Sequence, residues 1–459
     1  MDALIFSRYA ILILTIGVLL LPKRYAFISL IMLGLFDASG PAFYSASQVG
    51  ILNAIKVLGA SLILMVRLKF QPLNTIIRER TWRVPIYLFL IFVIYAGIAI
   101  LWTNWKLNAI KMLGYLIGYI LWFALLCYGW MRGFINRRSI LFIYISSIFL
   151  GILQSYVLTP VFGVYQFEMQ RFTAFVSPQY FAGFMVMITA ILIFSYRKLL
   201  YSIIFISVTL FIVVMSGSRY SFINLFFVLF VFMIYNLRKS RTRLVFLILV
   251  CIFTSVIGIG TLLESIGYNI LPVERMMQTR IGELRYLVSN PEAIGTLSWR
   301  LAIYRSTISE ILSSKLHYLF LGHGTSSSAE IALMINPHYI PESIDANRVI
   351  HNELLRSMYE WGIVGFSILL ILIVFLTYST IKFALVGAKF QGYIALSVLP
   401  LIVSSILIEN VLASAGSAWG VGVALILGGA WMETRYQRLL RQVKQAWEPK
   451  TYVLPCGGT

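Results

Sequence analysis

Acidic residues, histidine and cysteine are all scarce in this chain. Only 17 of 459 residues are Asp or Glu, against 37 Lys and Arg. There are 4 histidines and 3 cysteines. Each shortage excludes something. Cys127 and Cys251 fall inside long apolar runs and Cys456 lies in the tail, so no two share a polar loop and no disulfide framework is expected. There is no Walker loop, no HExxH and no D-x-D pair. The histidines are not spaced like zinc ligands. The sequence thus offers no metal site and no cofactor motif, and a metal-dependent nucleotide-sugar chemistry has no support in it. The ending CGGT lacks the aliphatic residues of a prenylation box.

What the chain has in abundance is apolar length. Sixty per cent of it is hydrophobic and the mean hydropathy is +0.87. Apolar runs of about 17 to 25 residues recur, each long enough to cross a hydrocarbon core of about 30 Å as a helix. Lipid offers no partner to backbone N–H and C=O groups, so such runs must be helices. The expected fold is an all-α polytopic membrane protein. Spans are expected near 8–22, 25–37, 50–68, 84–102, 108–130, 139–157, 180–196, 199–216, 220–236, 244–263, 363–380, 391–409 and 413–432. That is thirteen, within a range of about 12–14. The first run has no small-residue cleavage site and is followed at once by another, so it reads as a retained helix. The organisation expected is helices over 1–263, a long extracytoplasmic loop over 264–362, helices over 363–432 and a basic cytoplasmic tail over 433–459.

The net charge of +20 is placed rather than spread. Lys23-Arg24, Arg67 and Lys69, Arg78 to Arg83, Arg137-Arg138, Arg197-Lys198, Arg238 to Arg243, Lys382 and Lys389 alternate correctly with the spans. The positive-inside rule makes all of them cytoplasmic. The segment 264–362 then falls on the opposite side. It holds ten acidic residues and eight Lys or Arg, a net of −2, which leaves +22 on the rest. Orientation and contact with anionic lipid heads account for that excess, and nucleic-acid binding is not needed. The tail TRYQRLLRQVKQAW reads as an amphipathic helix on the inner surface.

A bundle does not need an outside segment of about a hundred residues, and loops that long are usually functional. This one reads as helical around 274–288 and 298–314, followed by the turn GHGTSSS, and it contains all four histidines, His317, His323, His338 and His351. It ends on HNELLRSMYEWGIVGF, residues 351–366. As a helix, this stretch carries Ile350, Leu354, Met358, Trp361 and Gly365 on one stripe. Glu353, Arg356 and Glu360 are spaced to pair on another side. Gly362 and Gly365 allow close approach of a neighbouring helix or a lipid-like substrate. His351 is either a satisfied residue on a docking helix or a catalytic group at the membrane boundary.

Three arginines are expected on the same side. In SGSRYSF, Ser218 can cap a helix that Arg219 begins, and a helix N-terminus with an arginine is an anion site. Arg300 sits in the first turn of the helix 298–312. Arg171 precedes a proline turn at Pro178 and a new span. Each has a plainer reading, as an interfacial or solvated arginine. Lys56 and Lys111 fall inside or at the rim of spans; both can snorkel, and neither is assigned a role.

H-N, nine residues, then G-x-x-G, at the end of a long outside loop, resembles the O-antigen ligase/polymerase superfamily of bacterial surface-polysaccharide enzymes. Those residues here are His351, Asn352, Gly362 and Gly365. SGSR resembles the family's Ser-x-Arg segment and gives Arg219. Arg300, followed some twenty residues later by Gly322–Gly324, resembles its loop. The resemblance covers roughly 165–430. His323 departs from it, since the family more often has an apolar residue in that turn.

The resemblance implies a glycosyltransferase that takes a glycan from undecaprenyl pyrophosphate at the outer face of the bacterial inner membrane and passes it to a sugar hydroxyl. The acceptor is a lipid-linked repeat unit for a polymerase or lipid A-core for a ligase. Polymerisation is preferred, because nothing in the sequence points to lipid A-core. Arg219, Arg300 and Arg171 would bind the pyrophosphate, with no metal and no cofactor. His351 would act on the acceptor hydroxyl, with Asn352, Gly362, Gly365 and Ser218 in support. Membrane lipids are the other partners. A transporter of lipid-linked saccharide would use the same arginines, but it gives no role to a folded outside loop.

Overall fold

The computed structural model describes residues 3–37, 52–53, 55–158, 172–196, 199–236, 296–335, 350, 352–385, 397, 399–400, 403 and 422–429. Among the described residues every regular element is helical, and one isolated parallel bridge joins Phe36 to Phe175. The protein is an all-α polytopic membrane protein. The first helices are α1 (Ala3–Leu20), α2 (Lys23–Leu33), α3 (Ala60–Arg67, entered through a π turn, Ile55–Gly59), α4 (Gln71–Arg78) and α5 (Arg80–Ile98, extended by a 3-10 turn, Ala99–Trp102). Next come α6 (Lys106–Met131), α7 (Arg137–Ile152, with a π turn, Leu153–Leu158), α8 (Pro178–Ser195), α9 (Leu199–Ser216) and α10 (Arg219–Asn236). The loop supplies α11 (Thr296–Ser313), α12 (Leu316–Leu321) and α13 (Ala329–Ile335), and α14 runs Glu353–Leu385.

Five of these helices are long and apolar enough to cross a membrane, and three shorter ones, 5–20, 200–216 and 221–234, are apolar over 10–17 residues. Those before α11 match expected spans to within a few residues, while at the expected spans 25–37 and 50–68 the chain forms the shorter helices α2 and α3. The spans expected at 244–263, 391–409 and 413–432 and the loop helix at 274–288 lie wholly or largely outside the described residues. One element was not foreseen. Between Arg67 and Arg80 the chain forms the short helix α4, pinned where Tyr128 Oη donates to Gln71 Oε1 at 2.6 Å. Close by, Arg67 donates to the carbonyls of Val18 and, at 2.8 Å, Leu21, closing the end of α1. A cation on exposed helix-end carbonyls meets both the hydrogen-bond deficit and the negative dipole end. These basic junctions fall at one end of the helices, here the basic end; the opposite end carries the loop, and is the cap end.

Packing has two centres. The larger surrounds α8, in which Phe181, Phe184, Met185 and Leu192 are fully buried against α7, α9 and α10. Polar side chains join these helices: Tyr144 Oη donates to the carbonyl of Phe205 at 3.1 Å, and Thr189 and Thr209 share a hydroxyl contact of 2.5 Å. Between helices in lipid, such bonds and close small-residue packing replace a hydrophobic drive. The second centre lies between α5, α6 and α14, where Trp361 meets Phe92 edge-on at 4.8 Å beside Ala96, Met112 and Leu369.

Candidate functional site

α14 is not one straight helix. Gly362 breaks it, with φ 61° and ψ −166°, a conformation that glycine reaches without steric cost. The break frees carbonyls at the end of the upper half, residues 353–361. The turn Gly322–His323–Gly324 takes them up. His323 N–H donates to the Tyr359 carbonyl at 3.0 Å and Gly324 N–H to that of Glu360 at 2.9 Å. A Cβ on Gly322 would strike the Glu360 carbonyl, and one on Gly362 the Phe320 carbonyl. The two glycine signals far apart in the sequence are therefore the two sides of one backbone contact. Of the two close approaches expected at Gly362, by protein or by a lipid-like substrate, the backbone of Phe320 and Gly322 makes the first.

The same turn is bolted to α5. Tyr95 Oη donates to the Leu321 carbonyl at 3.0 Å and Trp102 Nε1 to that of Gly322 at 3.2 Å. Thr325 Oγ1 donates to the Ala96 carbonyl at 2.6 Å and accepts from Trp361 Nε1 at 2.9 Å. Ser328 Oγ donates to Glu360 Oε1 at 2.5 Å, and Asn104 Nδ2 to Glu330 Oε1 at 3.3 Å. Sequence reading missed these anchors. It treated TSSS as turn filler and the aromatic residues of α5 as part of an apolar span.

The upper half of α14 was expected to carry an apolar stripe on one side and paired charges on another. The charges do pair: Arg356 Nε and Nη2 both donate to Glu353 Oε2, at 3.0 and 2.5 Å. Glu353, Arg356 and Glu360 are as fully buried as the apolar Ile350 and Trp361, while Leu354 and Met358 are half-buried. Arg356 also lies 5.4 Å from the Trp361 ring. Removing charges from water is costly unless each is paired and hydrogen-bonded; Glu353 and Arg356 meet that condition in each other, and Glu360 accepts from Ser328.

His323 stacks between Tyr318 and Tyr359, at ring distances of 4.6 and 4.4 Å. Its Nε2 lies 2.9 Å from Ser314 Oγ, which itself donates to the Glu310 carbonyl at 2.6 Å. Ser314 must then accept, so the proton sits on Nε2 of a neutral ring. Burial pushes the His323 pKa down, against the pull of Glu330 and Glu310. This agrees with its reading as a turn residue.

The candidate residues separate into two groups. Asn352 caps α14, its Oδ1 accepting from Leu355 N–H at 2.9 Å. Ile350, on the other side of position 351, is buried against Ile303, Ile331 and Tyr359. Ile303 is one turn beyond Arg300 on α11. The fold thus brings the helix of Arg300 into one cluster with Ile350, the residue before His351, although position 351 itself lies outside the described residues. Arg300 is half-buried. Gly365 lies on α14 against Tyr95. In the second group, Ser218 is buried at the start of α10 and its hydroxyl donates to Ser221 Oγ at 2.8 Å. The turn before it uses Gly217 at φ 63°. Phe172 N–H donates to the Met215 carbonyl at 2.9 Å, so the chain next to position 171 meets the end of α9 just ahead of Arg219. Arg171 lies outside the described residues, and of Arg219 only the backbone is described. No described contact joins the two groups.

A multi-span helical protein with a folded, polar cap over one end is the class that this architecture defines. Residues 203–370 match the family model described as O-antigen ligase, and this match supports the resemblance to the O-antigen ligase/polymerase superfamily. The match runs from α9 through the break in α14 and includes Ser218, Arg219, Arg300, Asn352 and both glycines. The activity that this family implies is of the glycosyltransferase type, of the ligase or polymerase kind. No curated protein matches the chain.

Proposed function

We propose that the protein transfers a glycan from undecaprenyl pyrophosphate to a sugar hydroxyl at the outer face of the bacterial inner membrane, joining lipid-linked repeat units into a longer polymer. The observation that carries this reading is the packing of Ile303 on Ile350, which sets the arginine helix against the His351 segment. In the proposed reaction His351 takes the proton of the acceptor hydroxyl, whose oxygen attacks the anomeric carbon. The bond from that carbon to the pyrophosphate oxygen breaks, and the lipid pyrophosphate leaves as an anion. Arg300, Arg219 and Arg171 stabilise that charge as bidentate donors, with no metal required. Glu353 is the carboxylate nearest His351 in sequence, and its binding to the buried Arg356 favours direct displacement with inversion over a covalent intermediate.

The test is turnover by purified protein in detergent with a chelator, given only an undecaprenyl-pyrophosphate-linked oligosaccharide. A ladder of longer lipid-linked glycans that disappears in His351→Ala is the expected result. Transfer to added lipid A-core without a ladder would make the protein a ligase instead. Neither product, from folded protein, would overturn the reading.

A further inference from the structure

The cap carries an apolar surface that its own helices do not cover. At the end of α11 and along α12, Leu312 is 80%, Leu316 71%, Phe320 46% and Leu321 45% exposed. No residue of α12 is buried. In a water-exposed cap this would be an unusual concentration of bare apolar side chains.

Its level in the molecule explains it. α5 crosses from Arg80 and Arg83 at the basic end to Trp102 at the cap end. One face of it, Ile91, Ile94, Ile98 and Leu101, is exposed along the outer half, with Leu101 at 78%. That face marks where lipid reaches. The loop does not rest above this level. Thr325 bonds the Ala96 carbonyl, six residues short of Trp102, or about 9 Å down at a 1.5 Å rise. Trp361 meets Phe92, about 15 Å down by the same rise. The end of α12 is tied to this depth through the contact of Phe320 with Gly362 and of Leu321 with Tyr95.

A second, independent feature agrees. Non-helical backbone is tolerated at membrane depth only where protein satisfies its polar groups. The turn after α12 meets that condition. The N–H groups of His323 and Gly324 and the carbonyls of Leu321 and Gly322 all have protein partners on α14 or α5. Lys315 and His317, at the start of α12, are the polar side chains beside the apolar surface and suit a headgroup rim.

We infer that α12 and the end of α11 form a re-entrant wedge in the cap-side leaflet, its surface at Leu312, Leu316, Phe320 and Leu321 covered by phospholipid acyl chains. The wedge anchors the cap at the level of the α14 break. This inference needs the membrane-embedded fold and not the proposed reaction.

Spin labels report it directly. The three native cysteines are replaced, and single cysteines are placed by Leu316→Cys and Phe320→Cys, with Leu101→Cys as the lipid reference and Lys106→Cys as the water reference. The proteins are reconstituted in phosphatidylethanolamine and phosphatidylglycerol vesicles that contain no polyprenyl lipid. Labels at 316 and 320 should collide with oxygen severalfold more than with a water-soluble nickel chelate, as at 101. Collision with the chelate as at 106 would overturn the wedge. So would shielding from both reagents, or lipid-like behaviour that appears only once a polyprenyl lipid is added.

Discussion

α8 and α14 both have the length and composition of membrane spans, and α14 is the more apolar of the two. Yet 94% of α8 is buried inside the protein, against 28% of the most apolar 18-residue stretch of α14. Apolarity therefore does not decide which helix is central. Lipid is as apolar as leucine, so a helix gains nothing merely by hiding leucine from it. α8 is drawn inward by close packing and by hydroxyl contacts such as Thr189 to Thr209. α14 is held chiefly at its upper half, by the Arg356 pair, the glycine break and the turn from α12, with Leu369 and Leu372 packed below the break. Below the break it presents Ile371, Val374 and Tyr378 outward.

The sharpest way to break this contrast is to remove the charge pair. Arg356→Met should cost about 3–5 kcal/mol by taking a buried charge from its partner. A thermal melt in detergent should show a large loss, and adding Glu353→Gln should restore much of it. If Arg356→Met melts like the wild type, the pair is not what holds the upper half of α14. Cavity-forming changes should differ between the helices. Phe184→Ala on α8 should cost about 3–5 kcal/mol, while Val374→Ala on α14, 59% exposed, should stay within about 0.5 kcal/mol. Equal melting shifts in the two variants would refute the contrast.

Gly362→Ala should follow, at about 2–4 kcal/mol, from a left-handed backbone and a collision with the Phe320 carbonyl. Protease cutting in the loop should rise in parallel, since the turn loses its seat. The smallest effect should be that of pH on His323. Its folded pKa is lowered, so the unfolded chain binds more protons in the window below the usual histidine value. Its contribution is complete above about pH 6.5 and declines as pH falls through the depressed folded value. Melting midpoints taken between pH 7.5 and 5 should fall more steeply for the wild type than for His323→Phe, which keeps a stacking ring and cannot charge.

Much of this was legible in the sequence. The positions of most spans up to α10 followed from run length, because lipid forces apolar stretches into helices. The pairing of Glu353 with Arg356 followed from helical spacing. The turn at 322–324 followed from its glycines. Other features were out of reach. A helical stripe of apolar residues predicts an inward face only when the outside is water. At the upper half of α14 the charged Glu353, Arg356 and Glu360 are buried along with the apolar Ile350 and Trp361, which the stripe does not foretell. The tie between Gly322 and Gly362 spans forty residues, and no local pattern encodes it.

The sequence by itself determined that the chain is a bundle of membrane helices, that its positive charge is placed between them, and that all four histidines lie in one polar segment. Composition and period suffice for these, because each depends on a residue and its near neighbours. Only the tertiary structure decided that α8 is central and α14 peripheral, that the charged face of α14 is buried, that the arginine helix α11 clusters with Ile350, the residue before His351, and how deep the loop is seated. These depend on which distant backbone groups meet. In lipid such meetings are selected by polar contacts and close fit, neither of which hydropathy records.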